Sequence, residues 1–543
     1  MTKAERQAKK DERHEKLLDD LINGRTVIAP IEVHEPKKKK QQANRKGGAA
    51  PDENTEGEML SNYKRLLRLL LPGIIIKLSQ IDDPRDPGKV IYSLPFLMLY
   101  GILMFISQCT SRRDANRSIS HENLLNMVNE FIPGVAEMPH ADTLMRLLCN
   151  INIEEIDKYY VELIKGFIAS NQFKEIQTGR YRVAIDGTQK FSRRYEWDER
   201  ALHQHAGDEE KERYYVYALE SVLILDNGMT LPLLTEILEN KADEPGSPTK
   251  TKTEDCCVPV SEGVKEATKA KKESEREQKQ DCETKAFHRL AGRIEKLLGK
   301  GCVTLVMDGI YASGPVISRC NEYGWDYMIV LKSECLKTVW EDFNGLRKIE
   351  SKNTLYTLYG ERQQEYHWSN SIDYTYGNNH KTLLLNLVTC TETWTEEHPR
   401  SGKKPKKMKT QYAWLSSKHV TTSNVFELCT VIARSRWRIE NLFLMEKHQG
   451  YNYTHCYSYN WNAMKGFHYL MKFGVFINVL TVYSEGLSAN AQIEGMRGLI
   501  QKIWRKINEG KWPLHEICES KNEGTNVASQ RKIIKFPPLI KAA

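Results

Sequence analysis

The order of its apolar segments constrains the fold of this chain most. A β-rich run, RYRVAID, ends at Asp186, and two apolar runs joined by the DNG triplet at residues 226–228 follow as a hairpin. Next come a helical pattern (TKAFHRLAGRIEKLLG), a buried strand (CVTLVMD) that ends at Asp308, a second helix, and the strand DYMIVLK. This order predicts a mixed sheet with helices packed on it.

The charge and the cysteine content of the chain indicate what kind of partner it binds and in which compartment it works. The 543 residues carry a formal net charge of +8, which favours an anionic partner. Lysines 37–40 form a basic run (Lys37, Lys38, Lys39, Lys40) in a polar tail, which is either a solvated arm or a polyanion-binding one. The cysteines show no metal-binding spacing and the start lacks the apolar run of a signal peptide, so we expect a reduced, cytoplasmic compartment.

The uncharged stretch Val90–Ser107 is at the edge of the roughly 20-residue length that spans a membrane. It contains Pro95 and Gly101, and charged turns flank it closely. We therefore expect a buried helix of a helical domain and no membrane segment.

The segment RSRWRIENLFLMEKHQG, Arg434–Gly450, mixes charged and apolar residues. Asn424 and Glu427 predict a capping box at the start of this helix, and Gly450 predicts its end. Its buried face would hold Val425, Leu428, Ile432, Ile439 and Leu442. A second stripe at helical spacing comprises Arg436, Glu440, Phe443 and Lys447. By itself, this stripe is typical of a solvated face with a weak ion pair.

Three acids suggest a different interpretation. Asp186 and Asp308 each stand at the predicted C-terminal end of a buried strand, where a following glycine lets the backbone turn away. Glu440 would join them from the helix. Converging carboxylates repel one another unless a hard cation neutralises them, and oxygen ligands without His or Cys favour magnesium or manganese. A pair of such ions catalyses in-line phosphoryl transfer.

This order of strand-Asp, hairpin, helix, strand-Asp, β insertion and helix-Glu resembles the RNase H-like core of the DDE transposases of bacterial insertion sequences. Arg436-x3-Glu440-x6-Lys447 is similar to their Tyr-x2-Arg-x3-Glu-x6-Lys signature, and Trp437 follows the Arg as in that group. The stretches DPRDPGKVIYSLPFLMLYGILMF and AIDGTQ resemble the H-repeat-associated branch. At the position of the signature's Tyr the chain has Ala433, so that the role of this Tyr is missing or provided elsewhere.

The resemblance implies roles for these residues. Asp186, Asp308 and Glu440 would be the catalytic metal ligands, holding two Mg²⁺ ions for which Mn²⁺ can substitute. Arg436 and Lys447 would bind phosphates beside the scissile bond. Outside the resemblance, the charge of the lysine run in the tail suggests that it binds DNA as well. Trp437 would stack on a base flipped from the DNA end; the alternative is a core or boundary tryptophan.

Two further stretches have two interpretations each. Asp281 and Glu283 precede a helix and either interact with its dipole or have a role in supporting the site or binding the DNA end. The aromatic-rich stretch GYNYTHCYSYNWNAMKGFHYL either lines a DNA channel or packs under the site.

With the resemblance, the expected fold is an α/β RNase H-like core, with a β-rich insertion before the catalytic Glu and an N-terminal helical domain. The expected divisions are a basic tail and linker (1–56), a helical DNA-end-binding domain (57–175), the first part of the core (176–332, with a charged insertion at about 241–279), the β-rich insertion (333–418), the second part of the core (419–485), and a C-terminal helical region for dimerisation or DNA contact (486–543).

The expected function is that of a DDE transposase. It would bind the terminal inverted repeats of its own element as a homodimer, cleave them by metal-dependent hydrolysis, and join the 3′ ends to target DNA. The expected location is the bacterial cytoplasm, in association with the nucleoid. The alternatives are a DDE-type nuclease without strand transfer, and a retired transposase that acts as a DNA-binding protein.

Overall fold

The computed structural model describes residues 55–174, 176–177, 179–204, 212–240, 281–398, 403–513 and 534–537. The lysine run at 37–40 and the charged insertion at 241–279 lie outside these residues. The chain begins with helices, in the order α1 (Glu56–Leu78), α2 (Leu94–Ile106), α3 (Arg112–Ser118), α4 (Glu122–Asn129), α5 (Ala141–Asn150) and α6 (Ile153–Ala169). A capping box between Thr55 and Glu58 starts α1, as the spacing of a hydroxyl and a Glu three residues later dictates.

Helix α2 lies within the expected buried segment Val90–Ser107, and of its thirteen residues only Pro95 is not buried. In the part of the chain that the structure describes, no helix combines the length and the apolarity needed to cross a membrane. The apolar character of this segment therefore serves the protein core.

The α/β core begins with strands. The elements are β1 (Tyr181–Arg193), β2 (Leu202–Gln204), β3 (Arg213–Ile224), β4 (Thr230–Leu238), α7 (Glu283–Leu298), β5 (Val303–Met307), α8 (Gly314–Glu322) and β6 (Asp326–Val330). Strands β3 and β4 form the hairpin that the DNG triplet predicts, closed by a 2.9 Å hydrogen bond from Gly228 N to Leu225 O. Strands β1, β5 and β6 are parallel, and β3 pairs with β1 antiparallel.

The insertion comprises α9 (Lys337–Ile349), β7 (Thr354–Tyr359), β8 (Arg362–Tyr376), β9 (Lys381–His398) and β10 (Lys403–Ser416). Its strands extend the core sheet, because β10 pairs antiparallel with β6. Within the described residues, the ten-stranded sheet runs β2-β3-β1-β5-β6-β10-β9-β8-β7, with β4 beside β3. The mixed sheet, its flanking helices and the helical N-terminal region confirm the expected fold class.

The segment after the insertion was predicted as one α-helix, which is wrong. It consists of a π-helical turn (Glu427–Ile432), a 3-10 turn (Ala433–Arg436) and α10 (Trp437–His448). The predicted capping box is also wrong: the side-chain oxygen of Asn424 accepts from Thr421 N at 2.8 Å, and its amide donates to His419 O at 2.9 Å. Asn424 thus stabilises the preceding turn. On the expected buried face, Ile432 is only half-buried.

Two helices complete the described chain, α11 (Trp461–Tyr483) and α12 (Ser488–Asn508). Helix α11 crosses α2 so closely that a Cβ at Gly474 would lie 2.5 Å from Cβ of Phe105. Further along, Asn478 Nδ2 donates to Ile106 O at 3.0 Å. On the core side, His468 Nε2 lies 3.1 Å from Oγ1 of Thr235 in β4. One helix therefore packs against both the N-terminal helices and the core sheet.

Candidate active site

Asp186 and Asp308 occupy equivalent positions on neighbouring strands. The parallel pairing of β1 with β5 ends at Ile185 and Met307, and the two acids are the next residues on each strand. The expectation that the β1 strand ends at Asp186 is wrong, because β1 continues to Arg193. Asp186 is paired with Glu220 of β3, which keeps the backbone extended. Asp186 thus comes within reach of solvent because β5 ends beside it.

The two carboxyl groups have opposite electrostatic environments. Burial raises the pKa of Asp186 to about 6; Arg436 and the N–H of Gly187 oppose this shift, whereas the charges of Asp308 and Glu440 add to it. Burial also acts to raise the pKa of Asp308, but the N–H of Gly309 and the ammonium of Lys332 outweigh it and lower this pKa. Asp186 is therefore the acid with the larger unmet need for a cation.

Arg436 bridges two of the acids. Its Nη1 lies 3.2 Å from Oδ2 of Asp186 and its Nη2 lies 2.7 Å from Oε1 of Glu440. The arginine side chain is 9% exposed, so this is a desolvated guanidinium and not the surface pair that a solvated face would give. The third acid has its own cation, because Lys332 Nζ lies 3.1 Å from Oδ2 of Asp308.

The donor set suits a hard divalent cation, since its side-chain ligands are carboxylate oxygens. Among the residues that the structure describes, however, no three His, Cys, Asp or Glu side chains converge closely enough to hold a metal ion. The guanidinium of Arg436 lies between Asp186 and Glu440 and supplies positive charge there. The residues therefore fit the metal chemically, and in the present arrangement Arg436 supplies the positive charge between two of them.

Lys447 reaches the same face of β1. Its Nζ donates to Oγ1 of Thr188 at 2.6 Å, two residues along the strand from Asp186. Burial lowers the pKa of Lys447, against the attraction of Glu446 and Asp186. Its ammonium therefore lies beside the acids, although no carboxylate of the predicted trio is its hydrogen-bond partner here.

Trp437 lies at the surface. Its side chain is 55% exposed, so the alternative of a core tryptophan is wrong. The guanidinium of Arg436 lies 5.0 Å from the centre of its ring, which is cation–π distance. An exposed ring next to the acid-bound arginine is accessible to a ligand.

A buried layer of charge lies behind this face of β1, and the sequence interpretation missed it. Lys472 Nζ lies 2.8 Å from Oε1 of Glu446 and 3.1 Å from Oε1 of Glu220. Tyr453 OH also donates to Oε1 of Glu220, at 2.9 Å. Tyr453 is fully buried, so this part of the aromatic-rich stretch packs under the site. A signal was available in the sequence, because Lys472 interrupts a long apolar run.

Lys332 and Thr188 were also missed. Lys332 lies two residues after the end of β6, and a cation just after a buried strand beside two strand-end acids is a signal of the kind that identified Asp308. Thr188 carries no such signal, because its contact with Lys447 joins residues distant in sequence. The lysines at 37–40, proposed to bind DNA, lie outside the described residues.

Two known families match this chain. Residues 277–473 match the family described as "Transposase DDE domain", and residues 75–164 match the family described as "DDE_Tnp_1-associated". Together the matches cover more than half of the chain. The first contains Asp308, Arg436, Glu440 and Lys447, and the second lies in the N-terminal helical region. No curated protein matches the chain.

Proposed function

Because the chain belongs to the DDE-type transposases of insertion sequences, and is thus a transposase-type enzyme, we propose that it cleaves the terminal inverted repeats of its own element and joins the 3′ ends to target DNA. One observation carries the proposal. Asp186 and Glu440, from a strand and a helix distant in sequence, share the buried guanidinium of Arg436, while Asp308 follows the adjacent strand. A buried guanidinium shared by two acids from distant elements is a candidate for chemistry.

Each residue has a proposed role. Asp186, Asp308 and Glu440 hold Mg²⁺ or Mn²⁺, two ions in each site, which would supply Lewis-acid activation of the attacking hydroxyl and of the leaving oxygen. Arg436 and Lys447 bind phosphate oxygens, the first as a planar fork and the second as a point charge. Trp437 stacks on an unpaired base at the DNA end.

The partner is double-stranded DNA, both as the inverted repeats and as the target. We propose a homodimer in the active complex, because two ends have to be paired before they are joined. The lysines at 37–40 contribute binding that is independent of sequence. The protein would act in the bacterial cytoplasm, on nucleoid DNA.

The test uses the single variants Asp186→Asn, Asp308→Asn and Glu440→Gln. We expect each to abolish nicking of a duplex that carries the terminal repeat, while gel-shift affinity for that duplex stays within about threefold, because lysines and arginines hold the DNA. Normal nicking by any of the three would remove that residue from the site.

Joined products separate this function from its alternatives. A nuclease without strand transfer would nick the end and give no product covalently linked to target DNA. A retired transposase would bind the repeat and neither nick nor join it.

A further inference from the structure

We propose that Glu283 is a positioning residue that fixes the spacing between the strand of Asp186 and the turn after Asp308, an inference that rests on the proposed metal-binding role of those acids. Glu283 is the first residue of α7, and both of its carboxylate oxygens are engaged. Tyr217 OH donates to Oε1 at 2.6 Å, and Tyr311 OH donates to Oε2 at 3.1 Å.

The two tyrosines come from different parts of the site. Tyr217 belongs to β3, the antiparallel neighbour of β1. Tyr311 ends the 3-10 turn Gly309–Tyr311 that follows Asp308, and its N–H donates to Asp308 O at 3.1 Å. The carboxylate of Glu283 therefore ties the sheet beside Asp186 to the turn beside Asp308.

Gly187 shows how tightly this contact is packed. A Cβ at this position would lie 2.5 Å from the ring of Tyr217 and 2.8 Å from Oε1 of Glu283. Successive residues of a strand face opposite sides, so Glu283 meets the face of β1 opposite to the side chain of Asp186. Glu283 thus acts behind the acids, through the backbone that carries them.

The phenols remain donors at every working pH. Burial raises the pKa of Tyr217, and its hydrogen bond to Glu283 raises it further. Burial likewise raises the pKa of Tyr311, whose side chain is buried, and the charge of Glu283 adds to the shift. A charged acceptor between two neutral donors makes two strong hydrogen bonds, which gives the tie its stiffness.

A matched control is available in the same stretch of chain. Asp281 carries the same charge two residues earlier, but its carboxylate pairs with Arg289, at 2.6 Å between Oδ2 and Nη2. Asp281→Asn therefore removes one negative charge near the start of α7 without disturbing either tyrosine. Glu283→Gln keeps both contacts, because an amide accepts from one phenol and donates to the other.

The first measurement is Mn²⁺ affinity by electron paramagnetic resonance, on the full chain bound to a pre-cut terminal-repeat duplex. We expect Glu283→Ala to weaken Mn²⁺ binding about 10-fold or more, as loss of a ligand-orienting group does. Glu283→Gln and Asp281→Asn should stay within about twofold of wild type. If Glu283→Ala does not fold, Tyr311→Phe can replace it. This variant lacks the hydroxyl that donates to Glu283, so it should also weaken Mn²⁺ binding.

The second measurement is hydrogen exchange of the metal-free protein at residues 309–312. Exchange should be faster in Glu283→Ala and unchanged in Asp281→Asn. Faster exchange with wild-type Mn²⁺ affinity would overturn the proposal, and so would equal loss of affinity in Glu283→Ala and Glu283→Gln, which would make Glu283 a ligand. If Asp186→Asn leaves Mn²⁺ affinity unchanged, the proposed metal site itself fails, whatever Glu283 does.

Discussion

Nη1 of Arg436 lies 3.2 Å from Oδ2 of Asp186, so this acid has a cationic partner within the protein, which only partly offsets the effect of burial on its pKa. The same guanidinium binds Glu440 at 2.7 Å. In the proposed complex, a divalent ion at these acids would displace the arginine, and a DNA phosphate would attract the arginine away from them. Metal and DNA should therefore bind with positive coupling, each raising the affinity for the other by the same factor.

Arg436→Met should increase the affinity of the DNA-free protein for Mn²⁺ several-fold, because it leaves Asp186 and Glu440 without a counter-charge. Calorimetric titration measures this. Arg438→Met is the matched control, since Arg438 donates to Gly228 O at 2.9 Å and is exposed. Equal Mn²⁺ affinity in wild type and Arg436→Met would show that the guanidinium does not compete with the metal.

Asp186 should make the stability of the metal-free protein depend on pH. Burial raises its pKa to about 6, above the value of about 3.9 in an unfolded chain. The folded carboxyl holds its proton more tightly, so its contribution to stability is complete below about pH 4 and is lost as the pH rises through 6. The free energy of unfolding of Asp186→Asn should therefore rise relative to that of wild type, by up to about 2–3 kcal/mol between pH 4 and pH 7.

Urea unfolding in a chelator, at several pH values across this interval, provides the measurement. Asp308→Asn serves as the comparison, because the pKa of Asp308 is lowered in the fold and its stabilisation is lost only as the pH falls. The free energy of unfolding of this variant should not rise relative to that of wild type between pH 4 and pH 7. A constant difference between Asp186→Asn and wild type would mean that Asp186 titrates normally.

Lys472→Met should destabilise the protein by about 3–5 kcal/mol, because it leaves Glu446 and Glu220 buried without their shared cation. Urea unfolding at pH 7 measures this loss. Lys465→Met is the control, because Lys465 lies earlier on the same helix α11 and forms a partly exposed pair with Glu239. Its loss should change the free energy of unfolding by less than about 1 kcal/mol. Adding Glu446→Gln to Lys472→Met should recover part of the loss; no recovery would mean that lost packing dominates.

Trp437→Ala should impair a step after first-strand nicking. The ring is 55% exposed, so stability should not change measurably. Base–aromatic stacking contributes about 1–3 kcal/mol, and its loss should slow the later step roughly 5- to 150-fold, with nicked, unreleased ends accumulating. Leu444→Ala, on the same helix and 54% exposed, is the control. An abasic nucleotide near the terminus should partly rescue Trp437→Ala, and an equal fall in all steps would exclude the stacking role.

Removal of residues 1–50 should weaken DNA binding without altering sequence preference, because a basic arm acts through counterion release. The measurement is the slope of log affinity against log salt, for duplexes with and without the terminal repeat. The slope should become shallower by a similar amount for both duplexes. If it is unchanged, the arm does not touch DNA.

Local sequence patterns were sufficient to predict most strands and helices of the core. The hairpin of β3 and β4 follows from a turn triplet between two apolar runs, and β5 follows from its apolar residues. The length of β1 could not be predicted, because its second half is held by pairing with β3. The π-helical turn is equally non-local: it places Thr430 Oγ1 2.6 Å from Tyr366 OH of β8, a contact without a local pattern.

In the candidate site, too, some residues could be predicted from the sequence, whereas their contacts depend on the folded chain. Residue type and spacing identified Asp186, Arg436 and Glu440, which the structure brings into contact. They did not indicate that the arginine itself would lie between the two acids, since that depends on how the helix docks on the sheet. For Lys332 and Glu283, the partners are Asp308 and two tyrosines from separate elements, which only the folded chain brings together.

Helix α11, Trp461–Tyr483, also determines when this protein can fold during its synthesis. Helices α2 and α6 leave the ribosome before the strands of the sheet, but the helix that packs against them emerges only after those strands. Their apolar surface therefore stays open while the sheet is being made, and a chain that terminates before residue 461 never covers it. The N-terminal helices and the core sheet therefore complete their folding together, once α11 has emerged.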